Sequence, residues 1–315
     1  MKFALVHPNT LVGKEVRQQL EARAATFDDV RLLSTIEGEI GAVTEYAGAA
    51  AFVGRADAEG LDSVDLAFFC GALEADRAAL AHLPAEARAI LLSPGATSEV
   101  APPAVAGIAR AARTGQRRLT SPHPAAVALA LLVAPLERFR PRRVVATVAL
   151  PVTAESDTAL DDLFEESRRI LTFQSPPPSV RSRGQRAFNL LPVEPADDRI
   201  ESQVGAVLGH ELPVGIQLVR AGVFHGMVAQ VWIDLEERPD PAELRKTLAG
   251  GAVELARKPA AVGPVAVAGN ERLVVGSVRS AAGSYGVWAA MDNLVRGAAL
   301  NAVELAEEML GEIPS

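Results

Sequence analysis

Cysteine is all but missing: the one thiol in 315 residues, Cys70, excludes an intramolecular disulfide and any multi-cysteine metal site, and no metal is expected. Aromatic residues are scarce at 4%, which argues against a stacking platform for bases and for closely packed, alanine-rich helices. Long apolar runs are absent too. The longest, residues 125–136, falls well short of the roughly 20 residues a membrane-spanning helix needs. The residues after Met1 turn polar at once, without the apolar core and small-residue cleavage site of a secretory signal. A soluble cytoplasmic protein with no membrane partner is expected. Basic charge is also short, 31 Lys+Arg against 39 Asp+Glu for a net charge of -8. Such a field repels phosphate polyanions, so nucleic acid is not an expected partner.

What is present suffices for a full core: 49% of residues are hydrophobic and 22% charged. At about 100–200 residues per domain the length predicts two domains. Residues 2–6 form a short apolar run ending at His7-Pro8-Asn9, followed by a helical pattern over residues 13–25, which reads as strand, tight turn, helix. Further strands are expected over residues 30–33, 66–69 and 89–92, with a helix over 74–83. This alternation implies a parallel sheet covered on both faces. After Pro124 comes a buried helix, and then the character changes. Residues 144–151 and 215–235 read as longer strands around a helix at 160–171, and residues 288–310 as a long closing helix. The expected fold class is α/β, a Rossmann-like parallel-sheet domain plus an α+β central domain with a mixed or antiparallel sheet. The boundaries are 1–124, rejoined by 288–315, and 125–287.

Five stretches carry a resemblance: the opening strand-turn-helix, Ser121-Pro122-His123-Pro124 before the buried helix, Phe188-Asn189-Leu190-Leu191-Pro192, Arg220 before a strand, and residues 288–302 beginning Trp288-Ala289-Ala290-Met291-Asp292-Asn293. Over essentially its whole length the chain resembles the aspartate-semialdehyde dehydrogenase family. That resemblance implies a dinucleotide-binding domain, a central substrate and dimerisation domain, and a homodimer, while leaving open whether dimers pair into tetramers. It also implies chemistry: a cysteine thiolate attacks the carbonyl, a histidine handles protons, and a nicotinamide cofactor exchanges hydride.

At the implied positions this chain departs from the family. The cysteine, which opens the buried helix in an Asn-Pro-Asn-Cys-type turn, is Pro124 here, with neither thiol nor N–H. Arg220 matches the arginine that binds the substrate carboxylate, but the histidine seven residues on is Met227. The family's glutamine falls at Leu150 or Pro151, and its phosphate-binding arginine near Thr97-Ser98. Glu201 matches a substrate-side glutamate, while the lysine three residues later is Val204. Two relocated groups compete with a non-catalytic reading. His225 lies two residues before Met227, about 6–7 Å away if the strand is extended. Cys70 stands at the carboxyl end of an apolar strand, the edge where α/β folds bind ligands, although a buried thiol is more often a small hydrophobe.

In the dinucleotide turn the resemblance expects Gly-Ala-Thr-Gly-x-Val-Gly, and the chain reads His7-Pro8-Asn9-Thr10-Leu11-Val12-Gly13. Gly13 remains, and Thr10 and Ser34 are the other candidate cofactor contacts, but the side chains of His7 and Thr10 would crowd phosphates and Pro8 removes a donor. Glu37 and Glu39 follow the second strand, where a 2′-phosphate would want arginine. NAD or NADP is implied by the family alone. The expected function is a dimeric binding or regulatory protein of this family, able to take a small carboxylate and lacking the phosphorylating dehydrogenase activity. One alternative is an NAD(P)-dependent oxidoreductase acting on an aspartate-semialdehyde-like substrate through Arg220 and His225 or Cys70. Another is an interaction partner for an active paralogue.

Overall fold

The computed structural model describes residues 1–194, 197 and 199–311, with the backbone alone at 111, 112, 157 and 182. In chain order the elements are β1 (Phe3–Val6), α1 (Leu11–Glu21), β2 (Val30–Ser34), β3 (Val43–Tyr46), β4 (Ala49–Arg55), β5 (Leu66–Phe69), α2 (Leu73–Leu80), β6 (Arg88–Leu91) and β7 (Arg118–Thr120). There follow α3 (Pro124–Val133), β8 (Pro141–Leu150), α4 (Asp157–Leu171), α5 (Val180–Arg183), β9 (Leu190–Pro192), α6 (Arg199–Leu208), β10 (Val214–Ala221) and β11 (Met227–Leu235). The chain ends with α7 (Pro241–Leu248), β12 (Val253–Leu255), α8 (Pro264–Val267), β13 (Leu273–Ala281), β14 (Ser284–Met291) and α9 (Leu300–Leu310). They form two compact units, one of Met1–His123 with Ala298–Ser315 and one of Pro124–Gly297.

The first unit holds a sheet in the order β3-β4-β2-β1-β5-β6-β7, parallel except for the β3–β4 hairpin. Every residue of β1 and β5 is buried, so the period-2 alternation shows only in where the side chains go. Phe3, Leu5, Leu66 and Phe68 join Val16 and Leu20 of α1 and Val303 and Leu305 of α9 on one face. Ala4, Val6, Ala67 and Phe69 join Ala79 and Leu80 of α2 on the other. A strand buried on both faces reads as a continuous apolar run, as residues 66–69 do. β1 lies between β2 and β5, so the direction of the strand order reverses around its carboxyl end.

The second unit holds a mixed sheet in the order β12-β13-β14-β11-β8-β10-β9. β8 and β10 are parallel, while β11 is antiparallel to both β8 and β14. β8 alternates: Val144, Ala146, Val148 and Leu150 are buried, whereas Val145 and Thr147 face outward. α3 is buried along nearly its whole length, which explains why its sequence shows no polar stripe.

Two sequence expectations are corrected. Residues 288–310 are not one helix: Trp288–Met291 completes β14, one π-helical turn follows at Val295–Ala299, and α9 begins at Leu300. Residues 215–235 are not continuous strand, because β10 and β11 flank β8 on opposite sides and loop 222–226 joins them. His225 therefore lies on that exposed loop, and the strand spacing assumed for it does not apply.

Candidate functional site

At the switch point of the first unit, β1 ends in His7, which takes a left-handed backbone (φ 63°). Its side chain is 2% exposed and turned into the crevice at the carboxyl ends of β1, β2 and β5. The imidazole Nδ1 lies 3.4 Å from Ser34 Oγ, and Nε2 lies 3.2 Å from Thr35 Oγ1 and 3.5 Å from Asp76 Oδ1. Ser34 donates its own hydroxyl to Glu39 at 2.6 Å, so toward Nδ1 its oxygen can only accept. A Cβ on Gly71 would lie 2.3 Å from the His7 ring. Ring and β5 turn are thus in direct contact.

Asp76, in the first turn of α2, is fully buried and accepts from Gly71 N at 2.8 Å and Ser93 Oγ at 2.6 Å. Burial raises its pKa above the ordinary carboxylate value, and the Ser93 bond, the His7 ring and the Gly71 amide only partly offset this. Thr10 caps α1, accepting from Gly13 N at 3.0 Å and donating to the Cys70 carbonyl at 3.0 Å. A Cβ on Gly13 would lie 2.1 Å from the His7 carbonyl oxygen, so glycine is required there by packing of the turn on the helix. Burial pushes the Cys70 thiol well above its ordinary value, with the Asp76 charge adding to the effect. A thiol so placed is a poor nucleophile.

In the second unit, Arg220, Leu150 and Met227 stand at one level on three neighbouring strands. Arg220 pairs with Leu150, and Met227 is one step beyond the Val228–Ala149 pair, on the same face. Met227 is 1% exposed and pairs across the ladder with Met291, also 1% exposed. A Cβ on Gly297 would lie 2.9 Å from Pro124 Cβ and 3.2 Å from Met291 Cε. Pro124, Gly297, Met291 and Met227 therefore form one continuous apolar contact.

Arg220 is not waiting for a carboxylate, since its Nε lies 3.6 Å from Glu155 Oε1. Glu155 also accepts from Arg186 at 2.7 Å, and Arg186 reaches Asp162 at 2.9 Å. Behind them Glu166 is buried. Burial alone would raise its pKa, but the Ala187 amide, the Arg183 guanidinium and the Arg186 amide outweigh that and hold it below the ordinary value. Glu201 accepts from Ile216 N at 3.0 Å. Ile216 is four residues before Arg220, about 13 Å along an extended strand, so the structure does not bring Glu201 and Arg220 together. Val204 is fully buried in α6. The conspicuous polar residues after β14 serve the backbone: Asp292 accepts from Leu294, Val295 and Gly269 amides, and Asn293 ties Gly226 N to Thr153. In the first unit Asn301 bridges Ala104, Ala106 and Ser121. Among the described residues no cluster of three His, Cys, Asp or Glu side chains is placed to hold a metal ion.

The chain matches no protein-family model. It is 27% identical over 209 residues to an aspartate-semialdehyde dehydrogenase of Rickettsia bellii, a stretch that covers 61% of this chain and 62% of that protein, less than two thirds of the relative's length. It is 28% identical over 332 residues to a USG-1 protein homolog of Pseudomonas aeruginosa, covering 98% of each. Among solved structures, a probable aspartate-semialdehyde dehydrogenase from Pseudomonas aeruginosa superposes with a TM-score of 0.90 at 28% identity, covering 98% of each chain. The chain carries the aspartate-semialdehyde dehydrogenase fold. Within the aspartate-semialdehyde dehydrogenase fold, the level row from Arg220 to Met227 and the helix opening at Pro124 belong to one unit. Sequence reasoning missed the His7–Asp76–Ser93 cluster and the Glu155 partner of Arg220. A buried acid following a strand-turn was the available signal for the first, and the second joins residues 65 apart with no shared motif.

Proposed function

We propose that this protein is a dimeric binding or regulatory member of the aspartate-semialdehyde dehydrogenase fold that does not carry out the phosphorylating dehydrogenation. One observation carries the reading: the positions where the resemblance puts a thiolate and an imidazole hold Pro124 and Met227, in one apolar contact through Met291 and over Gly297. Neither side chain can form a covalent intermediate or move a proton. The relocated alternative is weakened on both sides, by a buried Cys70 with a raised pKa and by His225 on an exposed loop.

The nucleotide crevice argues the same way. A dinucleotide needs close backbone approach at the turn after β1, and the residues here do not fit one, because the His7 ring fills the space against Gly71. The ligand this reading favours is a small carboxylate at Arg220, which would replace the Glu155 contact. A second copy of the chain is the proposed partner. The sheet face bearing Val145 and Thr147 is open, with Val145 46% exposed, and paired copies would cover it.

The test is thermal shift against succinate, aspartate, NAD and NADP. A ligand that binds only the folded state raises the melting temperature by mass action. A dicarboxylate response abolished by Arg220→Ala, with none to either nucleotide, is expected. A nucleotide response with none to the acids would defeat the reading.

A further inference from the structure

The reading that Arg220 takes a small carboxylate leaves open what else holds that group, and the inference drawn from Glu155 rests on that reading. Glu155 joins two arginines: its Oε1 lies 3.6 Å from Arg220 Nε, and its Oε2 accepts from Arg186 at 2.7 Å. The pairing is uneven. The Arg186 contact is a full charge-assisted hydrogen bond, while 3.6 Å is longer than one, and Arg220 donates no side-chain hydrogen bond among the described residues. Arg220 is 32% exposed, Glu155 21% and Arg186 14%, so solvent reaches all three.

The rest of the network balances without Glu155. Arg186 donates to Asp162 at 2.9 Å, and Arg183 lies 3.2 Å from the same carboxylate and pairs with Glu166. Glu166 also accepts from the Arg186 and Ala187 amides at 2.7 and 3.0 Å, which pins the Arg186 backbone from behind. Two arginines thus face two acids. Nor does α4 depend on Glu155, because Ser156 caps it by accepting from Ala159 N at 3.2 Å. Glu155, at the end of the helical turn Val152–Ala154, can therefore swing away and leave one unpaired charge on Arg220 and an open guanidinium edge on Arg186.

We propose that Arg186 and Arg220 form a two-arginine clamp for one carboxylate of the ligand, and that Glu155 is its resident stand-in, held in the clamp until a ligand carboxylate repeats its bridge. Guanidinium forks match carboxylate oxygens in geometry as well as charge. A partner on the same chain lowers the apparent affinity by the fraction of time that it leaves the arginines free, so an occupancy of about nine-tenths weakens binding about tenfold. Glu155 thereby sets the ligand concentration at which the site fills.

The experiment is calorimetric titration of the full chain with succinate at about 150 mM salt, where long-range attraction is screened. Glu155→Ala should bind at least about tenfold tighter than wild type, and Glu155→Gln, which keeps the shape and one acceptor oxygen, should fall between them. In the Glu155→Ala background, Arg186→Ala should weaken binding at least about tenfold. Glu165→Gln removes the same charge from α4, but that carboxylate pairs instead with Arg168 and Arg169, so affinity should not change. Melting temperatures measured without succinate report whether each variant folds. Unchanged or weaker binding in folded Glu155→Ala or Glu155→Gln, equal tightening in Glu165→Gln, or no loss from Arg186→Ala would each overturn the clamp while leaving Arg220 as the carboxylate site. Succinate binding to neither wild type nor Glu155→Ala, or binding that survives Arg220→Ala, would remove that reading and the clamp with it.

Discussion

Replacing His7 by glycine tests whether the crevice is filled by the protein's own side chain or merely bordered by it. Glycine removes the left-handed strain at φ 63°, a gain of about 1 kcal/mol. Against this, a ring that is 2% exposed leaves a void that costs about 3 kcal/mol by comparison with large-to-small core substitutions. Asp76 Oδ1, which accepts no hydrogen bond among the described residues, loses its polar neighbour His7 Nε2, 3.5 Å away, at about 1 kcal/mol more. The net expectation is a loss of about 3 kcal/mol, read as a shift in the urea midpoint at unchanged slope. Asp76→Asn keeps an oxygen to accept from Gly71 and Ser93, so it should cost only about 1 kcal/mol alone. In a double-mutant cycle the two changes should couple by about 1 kcal/mol, since they share a contact. A His7→Gly variant within about 0.5 kcal/mol of wild type, or additive losses, would refute the reasoning.

Three further outcomes follow from packing and charge. Gly13→Ala, whose Cβ would meet the His7 carbonyl at 2.1 Å, should lose at least about 2 kcal/mol in urea unfolding. Gly297→Ala, driven into Pro124 Cβ at 2.9 Å and Met291 at 3.2 Å, should lose about 1–3 kcal/mol, measured the same way. For pH, the raised Asp76 pKa means that the folded state holds this proton more tightly than the unfolded state. Its contribution is therefore favourable at and below the ordinary carboxylate pKa and is lost as pH rises through the raised value. The stability difference between wild type and Asp76→Asn should accordingly move against wild type as pH is raised from about 4 to 7, and a pH-independent difference would show that Asp76 is not perturbed.

Much of the fold is legible in the residues, for identifiable reasons. Residues 66–69 and 124–133 are apolar without interruption and were bound to be buried elements. The β3–β4 and β13–β14 hairpins were not read, because their turns use Ala47-Gly48 and Ala282-Gly283, all four with positive φ. Alanine at the first of these positions is strained and lacks the Asn or Asp that usually marks such a turn. The misread closing helix has another cause. Trp288-Ala289-Ala290-Met291 suits either periodicity, and pairing with β11 and β13 decides for strand. At the site, it is the family resemblance, not the residue pattern, that singles out Pro124, Met227 and Arg220 as one group, and the register puts Arg220 and Met227 on one face. What the sequence could not show is long-range side-chain contact: that Glu155 meets Arg220, or that His7 turns inward onto Asp76.

The most direct test of the central claim is turnover. Purified protein at micromolar concentration is mixed with aspartate semialdehyde, phosphate and either NADP or NAD, and cofactor reduction is followed at substrate saturation. The account predicts no enzymatic reduction with either cofactor, and none in Pro124→Cys, because a lone thiol beside Met227 has no base to activate it and losses within one catalytic unit do not add. Robust turnover by the natural sequence, abolished by Cys70→Ala or His225→Ala, would contradict it.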